Sequence, residues 1–171
     1  MGWAQQEFET IDLGDPRLNR RAVLLAERLG QKPGASIPGA CENWAETAAA
    51  YRFLRNEQVS CEDVMTAHRQ ATMGRIREHA VVLCLQHTTE LDYNGQAMTG
   101  LGPLSYEAQR GLYLHPTYVV TPEREPLGVM NAWTWAREFK KGDAPRGGVL
   151  ENVRWVESYE RVAEQACELP G

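Results

Sequence analysis

Ala80-Val81-Val82-Leu83-Cys84-Leu85-Gln86-His87-Thr88-Thr89-Glu90-Leu91-Asp92-Tyr93 is the stretch on which the reading of the fold turns. Its six leading apolar residues are too few for a helix and predict a strand buried on both faces. His87 stands at the C-terminal edge of that run, followed by Thr88 and Thr89. A strand opening into a polar turn is a common seat for a reactive group, because the sheet fixes its position while the turn admits a ligand.

Working outward towards the C-terminus, Asn94 to Gly102 is a Gly-rich excursion, and Gly111 to Val120 and Leu127 to Ala136 are two further extended runs. The segment Thr121-Pro122-Glu123-Arg124-Glu125-Pro126 between them is a hairpin-like connection, so the three strands are expected to form an antiparallel meander. Pro116 lacks an N–H and requires a bulge or an edge position. Lys140 to Gly148 is polar and Gly-rich. From Val149, the residues Val153, Val156, Tyr159 and Ala163 recur at helical spacing and predict an amphipathic helix ending near Leu169. Residues 79–171 therefore read β-β-β-α.

Upstream the period is helical. Trp3, Ala4 and Phe8 suit a short docking helix. Asp15 and Pro16 are a good N-cap and first helical residue, and Gly30 a natural stop. Leu18, Ala22, Leu25 and Leu29 form one apolar stripe. Arg17, Arg21 and Arg28 project from a flank roughly 80° away, where they can meet phosphates or simply pair with acids such as Glu27. Gln31 to Cys41 reads as a loop. Asn43 and Glu46 have capping-box spacing and start a helix running through Tyr51, Phe53 and Leu54, with Arg52 and Arg55 near its end. Ser60 and Asp63 cap a third helix that ends near His79. Residues 1–78 thus form an all-helical unit, and the fold class is α+β.

Composition narrows the function. The chain has 171 residues, 43% of them hydrophobic, enough to bury a core. A net charge of −5 and a pI near 5.4 give no global attraction for nucleic acid, so any such contact needs a local patch. Arg17, Arg20, Arg21, Arg28, Arg52 and Arg55 are the candidate patch. Cys41, Cys61, Cys84 and Cys167 show no CxxC spacing and are expected to be buried free thiols. His68, His79 and His115 show no ligand spacing, and Trp133, Trp135, Trp155, Tyr113 and Tyr118 are expected in a core or interface. No leader and no apolar run of membrane-spanning length is seen, so a cytoplasmic protein is expected.

Five ordered motifs carry a resemblance. They are Asp12-Leu13-Gly14-Asp15-Pro16-Arg17-Leu18-Asn19-Arg20-Arg21, Tyr51-Arg52-Phe53-Leu54-Arg55-Asn56, Thr88-Thr89-Glu90-Leu91-Asp92-Tyr93, Gly111-Leu112-Tyr113-Leu114-His115 and Pro126-Leu127-Gly128. In this order they resemble the cut-and-paste DDE transposases of the insertion-sequence-four, Tn-five-like family. The resemblance implies a helical domain that binds transposon ends, followed by the β-β-β-α opening of a ribonuclease-H-like core. It also implies three carboxylates holding two magnesium ions that activate water and then a DNA 3′ hydroxyl. Arg17, Arg20, Arg21, Arg52 and Arg55 match stretches of the family's end-binding region, and Trp44 starts the helix that approaches DNA.

Two departures from the family pattern bear on chemistry. The family's first catalytic aspartate opens an Asp-Thr-Thr motif, and here the position is His87. Magnesium prefers hard carboxylate oxygen, so one imidazole is a poor replacement. The positions of the other two carboxylates fall beyond the end of the sequence, and no metal or catalytic residue is assigned. The expected function is that of a transposase-derived protein that binds double-stranded DNA without cutting it and inhibits transposition by an intact relative. It would act as a homodimer or a heteromer, with strand pairing covering an open edge of the truncated sheet. The alternatives are a fragment of an active transposase that needs its missing part, and a domesticated protein-interaction module. The last suits the eight Lys and Arg against twelve Asp and Glu from Ala80 to Gly171.

Overall fold

A tight turn sets the first long helix. Asp12 Oδ1 accepts from the Gly14 N–H at 2.9 Å, Asn19 Oδ1 accepts from the Leu13 N–H at 2.9 Å, and Gly14 adopts φ +73°, which favours glycine. Asp15 then caps α2 (Pro16–Gln31) by accepting from the Arg17 N–H at 2.8 Å. The other helices of this part are α1 (Trp3–Glu7), α3 (Ile37–Ala40), α4 (Trp44–Leu54) and α5 (Cys61–Ile76). The computed structural model describes residues 2–140, 142 and 151–167. It divides the chain into two units, residues 1–74 and 75–171.

In the first unit, Ile11, Leu13, Ala22, Leu25, Cys41, Ala50, Phe53 and Ala67 form one buried cluster, flanked by Phe8, Leu18 and Leu29. Ala50, 1% exposed, leaves room for α4 to pack against α2. Asn43 Oδ1 accepts from the Glu46 N–H at 2.9 Å, and Ser60 Oγ from the Asp63 N–H at 3.0 Å, as their spacing predicts. Two expectations are corrected here. Ser36 caps the short α3 inside the expected loop, with Pro38 at the second helical position. Gly30 lies inside α2 rather than ending it; a Cβ there would stand 2.3 Å from the Trp3 ring, so the glycine makes space for that indole.

The second unit holds a five-stranded antiparallel sheet. Its centre is β4 (Arg110–Val120), the middle run of the expected meander. β1 (Leu83–Gln86) and β2 (Thr89–Asp92) pair along one side of β4 in a single register, Leu83 opposite Val120 and Asp92 opposite Gly111. They read as one strand interrupted at His87-Thr88, and Pro116 of β4 lies in the stretch facing that gap. β5 (Pro126–Trp135) pairs along the other side, and the two-residue β3 (Gly102–Pro103), not foreseen, pairs with the start of β4. A register shift follows Thr117, next to Pro116, so the proline sits beside the irregularity it requires.

The expectation of a strand buried on both faces is overturned. Among the described residues β1 has β4 as its only strand neighbour, and Val81, Leu83 and Leu85 are 60%, 44% and 51% exposed. An apolar run of this length marks a strand, but burial on both faces needs a packed layer above and below the sheet, which the run cannot specify. Cys61, Cys84 and Cys167 are also exposed, and of the four thiols only Cys41 is buried; all four are free.

The closing helix α6 (Glu151–Ala166) packs with its polar side inward. Val153, Val156 and Tyr159, the expected core stripe, are exposed, and so is Ala163. The reason lies in the sheet surface it covers, which is aromatic and hydroxylated. Arg154 lies 5.2 Å from the Trp133 ring centroid and Arg161 4.7 Å from the same ring, while Trp135 stacks on Tyr113 at 5.6 Å. Guanidinium–indole contacts of this kind are worth about 0.5–2 kcal/mol each. Trp155 and Tyr118, expected in a core or interface, are 40% and 39% exposed. Of the predicted polar stretch from Lys140 to Gly148, all but residues 140 and 142 lie outside the described residues, as does the predicted helix end near Leu169.

Beneath α6 the Thr117 and Ser158 hydroxyls meet at 2.9 Å, both residues fully buried. Replacing Ser158 by Ala leaves the Thr117 hydroxyl without this partner, and a loss of about 1–3 kcal/mol is expected. The double change Ser158→Ala with Thr117→Val is expected to recover much of it. Denaturant unfolding of the unaltered chain and the two variants checks both results.

Candidate nucleic-acid interface

The interface is built on α2 and α4. A cleft of about 410 Å³ between them is lined by Arg17, Arg21, Arg52 and Asn56, with Leu18, Ala49 and Phe53 as its apolar floor. The cap at Asp15 places Arg17 and Arg21 one turn apart on α2, and the capping box at Asn43 places Arg52 in the last turn of α4. Three guanidiniums and a carboxamide facing one open cleft can bind anionic oxygen, each guanidinium with a fork of donors.

These arginines are not equivalent. Arg17 is held by Asp15, with Nη2 3.0 Å from the carboxylate, yet its side chain is 83% exposed. The Arg17 side chain holds the Asp15 carboxyl below its ordinary value. Arg20 and Arg55 are exposed near the cleft's two helices. Arg28 is engaged internally: Nη2 lies 2.7 Å from Glu42 and Nε 3.1 Å from Glu46, with the side chain only 19% exposed. That double bridge ties α2 to the start of α4. Trp44, the first residue of α4, is 80% exposed.

Glu46 is the hinge of this arrangement. The Glu42 backbone N–H, and after it the Arg28 guanidinium, hold its carboxyl below the ordinary carboxylate value. A lowered folded pKa means that the stabilisation is complete above the unfolded value, about 4.3 for glutamate, and is lost as pH falls through the folded one. Glu46→Gln is therefore expected to flatten the acid limb of stability below about pH 4.3 while changing the neutral region less, as read by thermal melts across pH.

Residues 1–59 match the transposase DNA-binding family model. The match supports a transposase N-terminal domain with DNA as its partner, and it contains the whole α2–α4 cleft. Within the matched segment, Tyr51, through which the sequence reading ran its second helix without giving it a role, stands on the outward side of α4. Tyr51 is 38% exposed. Its spacing of seven from Trp44, two helical turns, was the available signal.

The remaining candidate residues lie in the second unit. His87 is exposed in the gap between β1 and β2. Glu90 accepts from the Ser105 N–H at 2.8 Å and from the Tyr113 hydroxyl at 2.8 Å, and these bonds, those from Ser105 first, lower its pKa. Asp92 accepts from the Asn94 N–H at 2.7 Å and from Gln109 Nε2 at 3.1 Å. His115, read as an ordinary polar residue, is fully buried, its Nδ1 2.9 Å from Thr88 Oγ1. Among the described residues no three His, Cys, Asp or Glu side chains are grouped to hold a metal. The donors present around His87 do not fit a two-magnesium site, which requires several converging oxygens. No described helix is long and apolar enough to cross a membrane.

Proposed function

We propose that the chain is a transposase-derived DNA-binding protein of the DDE class. In this reading α2 and α4 grip transposon-end-like duplex DNA, and the second unit is the opening of a ribonuclease-H-like core that does not cut DNA by itself. The observation that carries it is the convergence of Arg17, Arg21, Arg52 and Asn56 on one cleft inside the segment matched to transposase DNA-binding domains. Arg20 and Arg55 extend the contact along the phosphates, Trp44 faces the duplex, and Arg28 braces α4 through Glu42 and Glu46. Phosphate contacts set register while base contacts set sequence preference. Cutting fails in this reading because the opening acid is replaced by His87, a poor ligand for magnesium. Occupying ends without cutting them makes the protein an inhibitor of an intact relative, and the cytoplasm is its expected place.

The test is a mobility-shift titration of the purified chain against a library of short duplexes, with and without magnesium. Selection of particular duplexes, affinity falling steeply with salt, and intact strands throughout are expected. Equal affinity for every duplex, or magnesium-dependent nicking, contradicts the proposal.

A second reading rests on the second unit. The outward apolar residues of α6 and the edge of β1, which is unpaired among the described residues and lacks the lysine or proline that usually guards an edge strand, favour protein contacts. Self-association through β1, or pairing with an intact transposase, follows from that edge. Leu85→Lys is expected to shift the chain from dimer to monomer in analytical ultracentrifugation; a wild-type monomer at high concentration contradicts it.

A further inference from the structure

The outward face of α4 has a chemistry that the arginine cleft does not account for. At about 100° per residue, Trp44, Ala48, Tyr51 and Arg55 fall within roughly 60° of one another, and Arg52 flanks them. Trp44 is 80% and Tyr51 38% exposed, and Arg52 and Arg55 are exposed. Neither aromatic side chain meets a ring or polar partner among the described residues. A helix that buries Ala50 and Phe53 on one side thus displays two rings and a methyl group on the other, bordered by positive charge.

We infer that this face reads thymine in the major groove, with the Trp44 and Tyr51 rings and the Ala48 methyl packing against thymine C5-methyl groups. The inference rests on the DNA-binding reading above and specifies how that surface discriminates sequence. The rings are uncharged and do nothing for phosphate, which Arg52 and Arg55 serve. Stacking on the rings would require unpaired bases, and opening a duplex costs a few kcal/mol per step. The thymine methyl is the apolar group that a major groove presents. Seven residues at 1.5 Å place Trp44 and Tyr51 about 10.5 Å apart along the helix, close to three base steps of 3.4 Å. The readable thymines are therefore spaced about three base pairs apart, with Ala48 facing the interval.

Removing the methyl group alone tests this. The full chain is titrated by fluorescence anisotropy against its preferred duplex and against copies with deoxyuridine replacing each thymine in turn. Burial of one methyl is worth about 0.8 kcal/mol, so a loss of about fourfold is expected at two or three thymines within that span. In Tyr51→Ala one of these penalties disappears, in Tyr51→Phe it persists, and Trp44→Ala removes another. The salt slope stays unchanged in all three variants. Uracil duplexes that bind like their thymine parents overturn the inference, and so do penalties that survive both alanine variants. The wild-type titration separates the two levels: binding without uracil sensitivity sinks this inference alone, whereas no binding in low salt sinks the DNA reading and this one with it.

Discussion

Replacing Arg21 and Arg52 together by alanine is expected to weaken duplex binding about a hundredfold and to lower the slope of log K against log salt by about 2. The two line the same cleft from different helices, and among the described residues neither forms a salt bridge as Arg17 and Arg28 do. A hydrogen bond to a charged group is worth about 1.5–3 kcal/mol, so each loss costs roughly tenfold or more. Arg28→Ala is the contrasting control. It removes a bridge from α2 to Glu42 and Glu46, so its effect is expected in stability, with the salt slope preserved. Anisotropy titrations at four or more salt concentrations, with circular dichroism to confirm folding, distinguish the variants. An unchanged slope in the double variant would remove the cleft from the interface.

Phe53→Ala carries the largest expected effect on folding. Phe53 is 6% exposed in the buried cluster of the helical unit and also forms part of the cleft floor. Truncating a buried phenylalanine costs about 3–5 kcal/mol. Small domains have only about 5–15 kcal/mol in hand, and a helical unit of this size lies at the low end. The variant is therefore expected to melt the α2–α4 arrangement and to lose DNA binding with it, while the second unit keeps its sheet. Far-ultraviolet circular dichroism should show the loss as helix rather than strand. A variant that stays folded and binds normally would show that the cleft does not depend on this core.

The two halves were not equally legible in the sequence. In the helical unit the caps at Asp15, Asn43 and Ser60 and the stripe Leu18–Ala22–Leu25–Leu29 are local signals, and each stands where its spacing put it. Local signals suffice for caps and apolar stripes, which depend only on residues within one or two helical turns. Gly30 was misread because its neighbour, the Trp3 ring, is distant in sequence. The sheet is another matter. The strand segments were visible in composition, and the antiparallel meander with the Gly111 run in its middle stands, but burial is a long-range property, and the apolar Ala80 run pointed to a strand covered on both faces when it is exposed. The inward polar face of α6 was hidden for a similar reason, since Arg154, Ser158 and Arg161 find partners on β4 and β5 that helical periodicity cannot reveal. For the candidate interface, the arginines were legible as a set. Their division into those facing an open cleft and Arg28 bridged to acids was not, because it depends on where Glu42 and Glu46 come to rest.

The most direct test of the central claim is a two-dimensional amide and indole NMR titration of the full chain with its preferred duplex. The account expects shifts concentrated on Arg17 to Arg21 and Trp44 to Asn56, with the Trp44 indole N–H moving and those of Trp133 and Trp135 unmoved. Shifts confined to β5 and α6, or no shifts at low salt, would contradict it.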